Sequence, residues 1–216
     1  MRVRFTFAKQ GALRYTGHLD LHNLLERAAR RAGLSLAYTQ GYHPQPKINI
    51  ASALPLGFSS RAEVMDIWLS ADCEVSQLRT DLQAALPGGI QILNAEQVDD
   101  RAPALQTQVL SAEYEVTLSE PTPNLDEKLA SVMGAESLLR ERRGKTYDLR
   151  PLIEELYVLE SGDLPPHMPP QTPPIQIFMR LASREGATGR PEEVLTALDI
   201  PVESARVERT RLIFRD

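Results

Sequence analysis

The first residues in this sequence that could do chemistry are His18, Asp20 and His22. Two histidines four residues apart on a helix share one face, which is a common arrangement of zinc ligands. We predict, however, that Asp20 is the N-cap of the helix, which leaves His18 before the helix and removes the shared face. We therefore expect no metal site, with His18 in a polar loop contact.

A second group of reactive and aromatic side chains lies between Tyr38 and Lys47, in the loop YTQGYHPQPK. Tyr38, Tyr42 and His43 alternate here with polar and basic groups, which suits unstacked bases lying on a charged track. Loop aromatics also cover the edges of domains, so this alternative stays open. A further alternative makes His18 and His43 an acid/base pair for metal-free ribonuclease chemistry, because imidazole titrates near neutrality.

Two groups of cations are candidates for contacts with anions. Arg27 and Arg30 fall on the outer face of a predicted helix, with Arg31 on its flank, where guanidinium groups match phosphate oxygens or simply cover apolar neighbours. The second group surrounds a predicted hairpin: Arg140, Arg142, Arg143, Lys145 and Arg150. Because Glu141 and Asp148 lie within this second group, a structural role and an anion-binding role both remain open.

The single cysteine, Cys73, excludes an internal disulfide and the thiolate set of an iron–sulfur or cysteine-type zinc site. Redox or radical chemistry must therefore come from a partner. No serine or cysteine lies in a nucleophile motif, and Leu54–Ser60 matches neither a P-loop nor a dinucleotide-binding loop. We predict that the chain has no cofactor.

The composition is that of a folded protein with a basic first part. Of 216 residues, 42% are hydrophobic and 25% charged, so wholesale disorder is excluded. The net charge is −5, but nine Lys/Arg against four Asp/Glu give residues 1–71 a charge of +5, which leaves −10 for residues 72–216. This asymmetry favours an anionic partner for the first part, or a solvated basic face. The longest uncharged stretch, 164–179, holds six prolines. With a strand-like start in place of a signal peptide, we expect a cytoplasmic protein without a membrane span.

The elements that would position these groups follow the order β-α-β-β-α-β, which recurs in the second half with an insertion. Apolar periodicity predicts the following elements in the first half: a strand Arg2–Ala8, a helix from Asp20 to Gly33, a hairpin of Lys47–Ala53 with Glu63–Leu69, a helix Val75–Leu86 and a strand Ile90–Val98. The second half repeats the order with a strand Ala112–Leu118, a helix Leu125–Val132, a hairpin of Glu136–Arg143 with Asp148–Leu159, a strand Ile175–Ala182, a helix Arg190–Leu198 and a strand Arg206–Phe214.

This order predicts an α+β protein of two tandem ferredoxin-like (split βαβ) units, with mostly antiparallel sheets and helices on one face. The first unit would cover residues 1–98 and include the basic part. Residues 99–109 lose periodicity and are predicted as a linker. The second unit would cover residues 110–216, with a Pro-rich loop at 161–174.

Several motifs in order give the chain a family resemblance. These are HLD at 18–20, ERAARRAGL at 26–34, GYHPQPK at 41–47, LPLGFSS at 54–60, and Glu63 with Asp66, followed by GKTYDLRPLIEEL, RPEEVL and VERTRLIF in the second half. The chain resembles the uncharacterised domain family linked to radical SAM enzymes, whose members occur as separate chains or joined to a radical SAM protein. Its motif residues here include His18, Asp20, Gly57 and Glu63. Asn23 stands where that family often has arginine, and Gln45 where it often has histidine.

The resemblance implies cooperation with modification chemistry on RNA, with the radical SAM enzyme on a separate chain, because no CxxxCxxC motif is present here. We predict a non-catalytic accessory module that binds RNA, without specificity for DNA. Arg27, Arg30, Arg31 and Lys47 would contact phosphates, and Tyr38, Tyr42 and His43 would contact bases. The alternatives are an endoribonuclease resembling the double-ferredoxin CRISPR repeat-processing enzymes, with His18 and His43 as chemical groups, and a protein–protein docking module.

Overall fold

The computed structural model describes residues 1–142, 144–159 and 175–215. The chain divides into two compact units, which are described separately. Unit one is Met1–Val109 together with the end of the chain from Phe214, and unit two is Leu110–Ile213. Arg143 and the Pro-rich segment 161–174, both singled out in the sequence, lie outside the described residues.

Unit one has the predicted β-α-β-β-α-β order and adds a short third helix. Its elements are β1 (Arg2–Lys9), α1 (His18–Arg31), β2 (Ile48–Ile50), β3 (Ser59–Trp68), α2 (Val75–Ala85), β4 (Ile90–Val98) and α3 (Leu105–Gln108). The four strands lie in the order β2-β3-β1-β4, and each neighbouring pair is antiparallel. The predicted α+β class with mostly antiparallel sheets is confirmed, as is the pairing of the two strands around the LPLGFSS turn.

The core of unit one follows from the alternation of β1. Val3, Phe5 and Phe7 are buried on one face of this strand, where they meet Leu25 of α1 and Leu82 of α2 in a single cluster. Each large apolar side chain removed from water contributes about 1.5–3 kcal/mol. Because both helices share this cluster with the same strand face, both cover the same side of the sheet.

The N-cap of helix α1 lies three residues earlier than the sequence predicts. Its first hydrogen bond runs from the Leu21 N–H to the Gly17 carbonyl at 2.8 Å, so Gly17 is the N-cap and His18 is helical. Asp20 lies in the first turn, where its carboxylate interacts favourably with the positive end of the helix dipole. The predicted cap at Asp20 is therefore wrong, and His18 and His22 do stand four residues apart on one helix.

That spacing is not accompanied by a metal-ligand cluster. The Nε2 atom of His22 lies 3.1 Å from the Ile48 carbonyl oxygen, so this imidazole donates to β2. Over the described ranges, no group of three or more His, Cys, Asp or Glu side chains is arranged to hold a metal ion. Within the same ranges, no helix has the length and apolar content that a bilayer crossing requires.

Residues 99–109, predicted as a linker, contain α3 and belong to unit one. Leu105 is completely buried. The Arg2 guanidinium donates to the carbonyl oxygens of Ala102 at 2.7 Å and Pro103 at 3.0 Å. This segment is therefore fixed to β1 by both packing and hydrogen bonds.

Unit two repeats the order with an inserted hairpin. Its elements are β5 (Val109–Leu118), α4 (Leu125–Gly134), β6 (Leu139–Arg142), β7 (Lys145–Asp148), β8 (Ile153–Leu159), β9 (Gln176–Arg184), β10 (Ala187–Thr188), α5 (Pro191–Ala197) and β11 (Ala205–Phe214). The main sheet places β11 beside β5 and β5 beside β9, and β9 also pairs with β8 and β10. Pro191 begins α5, as predicted from its fixed φ.

The inserted hairpin is shorter than predicted. Among the described residues, strand β6 pairs only with β7, around a turn in which Gly144 has a φ of +73°, a conformation that favours glycine. Of the expected second arm, Asp148–Leu159, Asp148 pairs with Leu139 of β6, and the prediction is wrong for the rest of the arm. The arm is interrupted because the Asp148 carboxylate accepts the N–H groups of Leu138 and Arg150, and because Pro151 has no N–H to continue the ladder. Strand β8 pairs with β9 instead.

Candidate nucleic-acid interface

The outer face of α1 and the Tyr38–Lys47 loop are in contact in unit one. Because Leu25 and Ala28 face the core, Arg27 and Arg30 are exposed on the opposite side of the helix. The Arg30 guanidinium carbon lies 5.6 Å from the centroid of the Tyr38 ring, within the range of a cation–π contact. The cationic helix face and the aromatic loop, predicted as separate features, therefore form one surface.

Hydrogen bonds join the two arms of the loop at its base. The Thr39 N–H donates to the Gln45 carbonyl oxygen at 2.8 Å, and the Lys47 N–H donates to the Ala37 carbonyl oxygen at 2.8 Å. The Thr39 hydroxyl oxygen also accepts the Gln45 N–H at 3.0 Å. These bonds fix both arms, so that residues 41–44 form the tip and Tyr42 stands on a defined base.

The tip presents two aromatic side chains to solvent. Tyr42 is 96% exposed, and its ring meets His43 edge-on, with 5.2 Å between the centroids and 87° between the planes. Tyrosine usually buries a large part of its surface. A ring this exposed leaves its face available for stacking.

The cations of this surface differ in how far they are already engaged. Arg27 and Lys47 are exposed, and neither side chain has a hydrogen bond or ion pair among the described residues. Arg30 forms an ion pair with Glu26 at 2.9 Å. Arg31 donates to the Ala85 carbonyl oxygen at the end of α2. Arg27 and Lys47 are therefore the charges most available to a ligand, and Arg31 is partly used to hold α1 to α2.

A shallow hollow of about 410 Å³ runs beside the cationic face of α1. Its walls include Asp20, Asn23, Arg27, Arg31 and Pro87. Its volume is in the range of small-molecule sites, and it offers both cationic donors and the Asp20 carboxylate. A group with acidic and amino functions would find partners there.

A second exposed aromatic lies before α1. Tyr15 is 62% exposed, and the Arg14 guanidinium lies 4.7 Å from its ring centroid and donates to its hydroxyl at 2.7 Å. The Gly57 N–H donates to the Arg14 carbonyl oxygen at 2.8 Å, and Gly57 has a φ of +88°. Sequence reasoning missed Tyr15, although the adjacent arginine and tyrosine were a usable signal.

The buried charges of unit one were also missed. Asp66 is completely buried and accepts from Arg2 Nε and Nη2, at 2.9 and 2.5 Å, and from Arg4 Nε at 2.9 Å. Arg2 also lies 4.7 Å from the Trp68 ring centroid. Both arginines lie on the face of β1 opposite Val3, Phe5 and Phe7. Part of the +5 charge of residues 1–71 is therefore structural and not available to a partner.

The other residues of the family resemblance lie in β3 and at the start of α1. Glu63 is completely buried in β3, opposite Phe7 of β1. His18 and Asp20 lie in the first turn of α1, and both are exposed.

Two of the four described hairpin cations of unit two, Arg140 and Arg150, are engaged by the protein. Arg150 donates to the carbonyl oxygens of Met133, at 3.0 and 2.7 Å, and Ile153, at 3.0 Å. Arg140 lies 3.9 Å from Glu193. The side chains of Arg142 and Lys145 form no hydrogen bond or ion pair within the described parts of the chain.

Two titrating groups of this hairpin are shifted by their surroundings. The Leu138 N–H, followed by the Arg150 N–H and the Ser137 side chain, lowers the pKa of Asp148. Asp148 and Arg150 are thus joined across the turn through the Arg150 backbone N–H. Burial, followed by the Glu193 charge, raises the pKa of Tyr147.

Comparison with known proteins gives one family match. A model of the family described as uncharacterized protein conserved in bacteria (DUF2344) matches residues 2–191. No curated protein matches the chain. Among solved structures, the chain is similar to one in the crystal structure of the archaeal box H/ACA sRNP Nop10-Cbf5 complex, at 13% identity and a TM-score of 0.43. The match covers 98% of this chain and 48% of that one, so this chain spans about half the length of its match.

Proposed function

Since this chain belongs to the family of uncharacterized proteins conserved in bacteria, we propose its function from its own residues: it is a non-catalytic module that binds single-stranded RNA. The surface would be the outer face of α1 together with the Tyr38–Lys47 loop. Arg27, Arg30 and Lys47 would contact phosphates, and the aromatic rings of the loop would stack on bases.

The contact between Arg30 and Tyr38 carries this proposal. It joins a row of cations to a group of exposed rings, which is the combination used to bind single strands without strict sequence readout. An aromatic tip requires bases that are already unstacked, and paired RNA offers mainly its backbone and shape. These features favour a single-stranded loop or end of an RNA over a duplex.

We also infer that both units are ferredoxin-like. Each places its first strand between its last and its third, in the orders β2-β3-β1-β4 and β8-β9-β5-β11. In both units, helices follow the first and third of these strands. This repeated split βαβ order supports the tandem assignment.

A radical SAM enzyme on a separate chain is the partner we propose on the sequence resemblance. The division of labour has a chemical basis, because Cys73 alone cannot hold an iron–sulfur cluster. RNA bound on unit one would be presented to the partner's active site, in the cytoplasm.

A binding role is favoured over the nuclease alternative by the environment of His43. Its ring meets Tyr42 edge-on, and among the described residues no group hydrogen-bonds to its imidazole. A general base is normally oriented by a second group. A stacking side chain has no such requirement.

The test is incubation of a labelled hairpin RNA with the native chain and with His18→Ala and His43→Ala variants. We expect the RNA to stay intact with all three. His43→Ala should weaken binding by about 1–3 kcal/mol through lost stacking, while His18→Ala should retain the affinity. Metal-independent cleavage that either substitution abolishes would contradict a binding role and identify a nuclease.

A further inference from the structure

We propose that unit one has a second binding site, the free edge of β4, which takes an extended peptide segment of another protein that carries an acidic side chain. The peptide would add to the sheet as a fifth strand and lie in the groove between β4 and α2. This site shares no residue with the proposed RNA surface, so neither proposal depends on the other.

A side-chain amide already bonds to the free edge of β4 in the way that the backbone of a peptide would. In unit one this nine-residue strand pairs with β1 on one side only. On its other side, the Gln83 carboxamide oxygen accepts the Ile92 N–H at 2.6 Å, and its nitrogen donates to the Ile90 carbonyl oxygen at 3.3 Å. An added strand would make this pair of bonds with its backbone. A peptide that displaces Gln83 would therefore find the Ile90 carbonyl oxygen and the Ile92 N–H pointing outward and able to bond to its backbone.

A long open groove adjoins this edge. Its volume is about 1040 Å³, and α2 and β4 line it together. Val75, Ala84 and Ala95 give its walls apolar surface, and Gln83 lies among them. Alternate side chains of an extended peptide point to the same side, so every second residue of an added strand would enter the groove.

Arg79 defines the chemistry of the occupant. It is exposed, lines the groove, and has no hydrogen bond or ion pair among the described residues. A carboxylate on the added peptide would supply its missing partner. One cation beside an apolar wall suits a single acidic side chain, while a nucleic acid would require several cations along its backbone.

Simple protection of the edge is the competing role for Gln83, because natural sheets often block their free edges. The two roles make different predictions for Gln83→Ala. If Gln83 occupies a peptide site, its removal opens the site and tightens peptide binding. If Gln83 only protects the edge, its removal leads to pairing of β4 with a second copy of the chain.

The experiment measures fluorescence anisotropy of a labelled probe peptide with the full chain. The probe has the length of β4, nine residues, with alternating valine and threonine and a central glutamate. Matched probes carry lysine or proline at the centre. We expect the glutamate probe to bind best, since proline removes a ladder hydrogen bond. Arg79→Glu should weaken the glutamate probe by about tenfold or more and favour the lysine probe.

Arg101→Glu is the matched control, because Arg101 is exposed, its side chain is unpaired in the described chain, and it lies outside the groove. It should change none of the affinities. Slower hydrogen exchange at the Ile92 amide in the presence of the glutamate probe would support strand addition. The proposal is overturned if the glutamate probe fails to bind at millimolar concentration, if the three probes bind equally, or if Gln83→Ala self-associates in sedimentation without gaining peptide affinity.

Discussion

Replacing both Arg27 and Lys47 with glutamine should reduce the salt dependence of RNA binding. These two side chains are exposed and unpaired in the described chain, so each is free to neutralise one phosphate. Every phosphate neutralised on a single strand adds about 0.7 to the slope of log affinity against log salt. The double substitution should therefore lower that slope by about 1.4.

The size of the effect follows directly. Between 50 and 200 mM salt, a slope difference of 1.4 means that the native chain loses roughly sevenfold more affinity than the variant. Neither substitution breaks an internal contact, so the free energy of unfolding should change by no more than about 0.5 kcal/mol. A loss of affinity caused by unfolding can thus be distinguished from a loss of affinity caused by the removed charges.

The assay is fluorescence anisotropy of a labelled single-stranded RNA, titrated at several potassium chloride concentrations. A control that replaces Arg79 and Arg101 with glutamine removes the same charge from exposed positions outside α1 and the loop, where both side chains are unpaired in the described chain. It should keep the native slope, because neither side chain is among the proposed phosphate contacts. An equal slope reduction in both double variants, or none in the first, would refute the proposed phosphate contacts.

Three further outcomes are expected. Asp66→Asn should destabilise the protein by about 3–5 kcal/mol in chemical denaturation, because it leaves the buried Arg2 and the half-buried Arg4 without their carboxylate; an unchanged midpoint would contradict this. Asp148 has a pKa below its ordinary value of 3.8, so its stabilising effect is complete above that value and lost as the pH falls through the lowered pKa. The stability difference between the native chain and Asp148→Asn should accordingly shrink in acid, and a difference that is constant down to pH 2 would be inconsistent with it. Tyr42→Ala should weaken RNA binding by about 1–3 kcal/mol while Tyr42→Phe retains the affinity, and equal losses would show that the hydroxyl matters more than the ring.

The periodic elements were predictable because one buried face determines each of them. Helix α2 and strand β4 lie where the apolar spacing placed them. The start of α1 was not predictable. Gly17 competes with Asp20 as the N-cap, and an acidic residue suits the cap and the first turn equally well.

The sequence could not show which arginine side chains are engaged within the protein. Arg27 and Arg31 stand four residues apart on the same helix, yet Arg31 donates to the Ala85 carbonyl oxygen, 54 residues away. Arg150 is likewise engaged by backbone carbonyl groups. Such bonds depend on where other elements end in space, which local patterns do not encode. The loop aromatics were easier to find, because their types and spacing are themselves the signal.

The most direct measurement of the central proposal is photocrosslinking of the full native chain to a single-stranded RNA that contains 4-thiouridine, followed by peptide mass spectrometry. Stacked bases place the photoreactive group against the rings that hold them. We predict crosslinks at Tyr38, Tyr42 or His43, lost at high salt together with binding. Crosslinks confined to unit two, or none under conditions where the RNA is bound, would contradict the proposed interface.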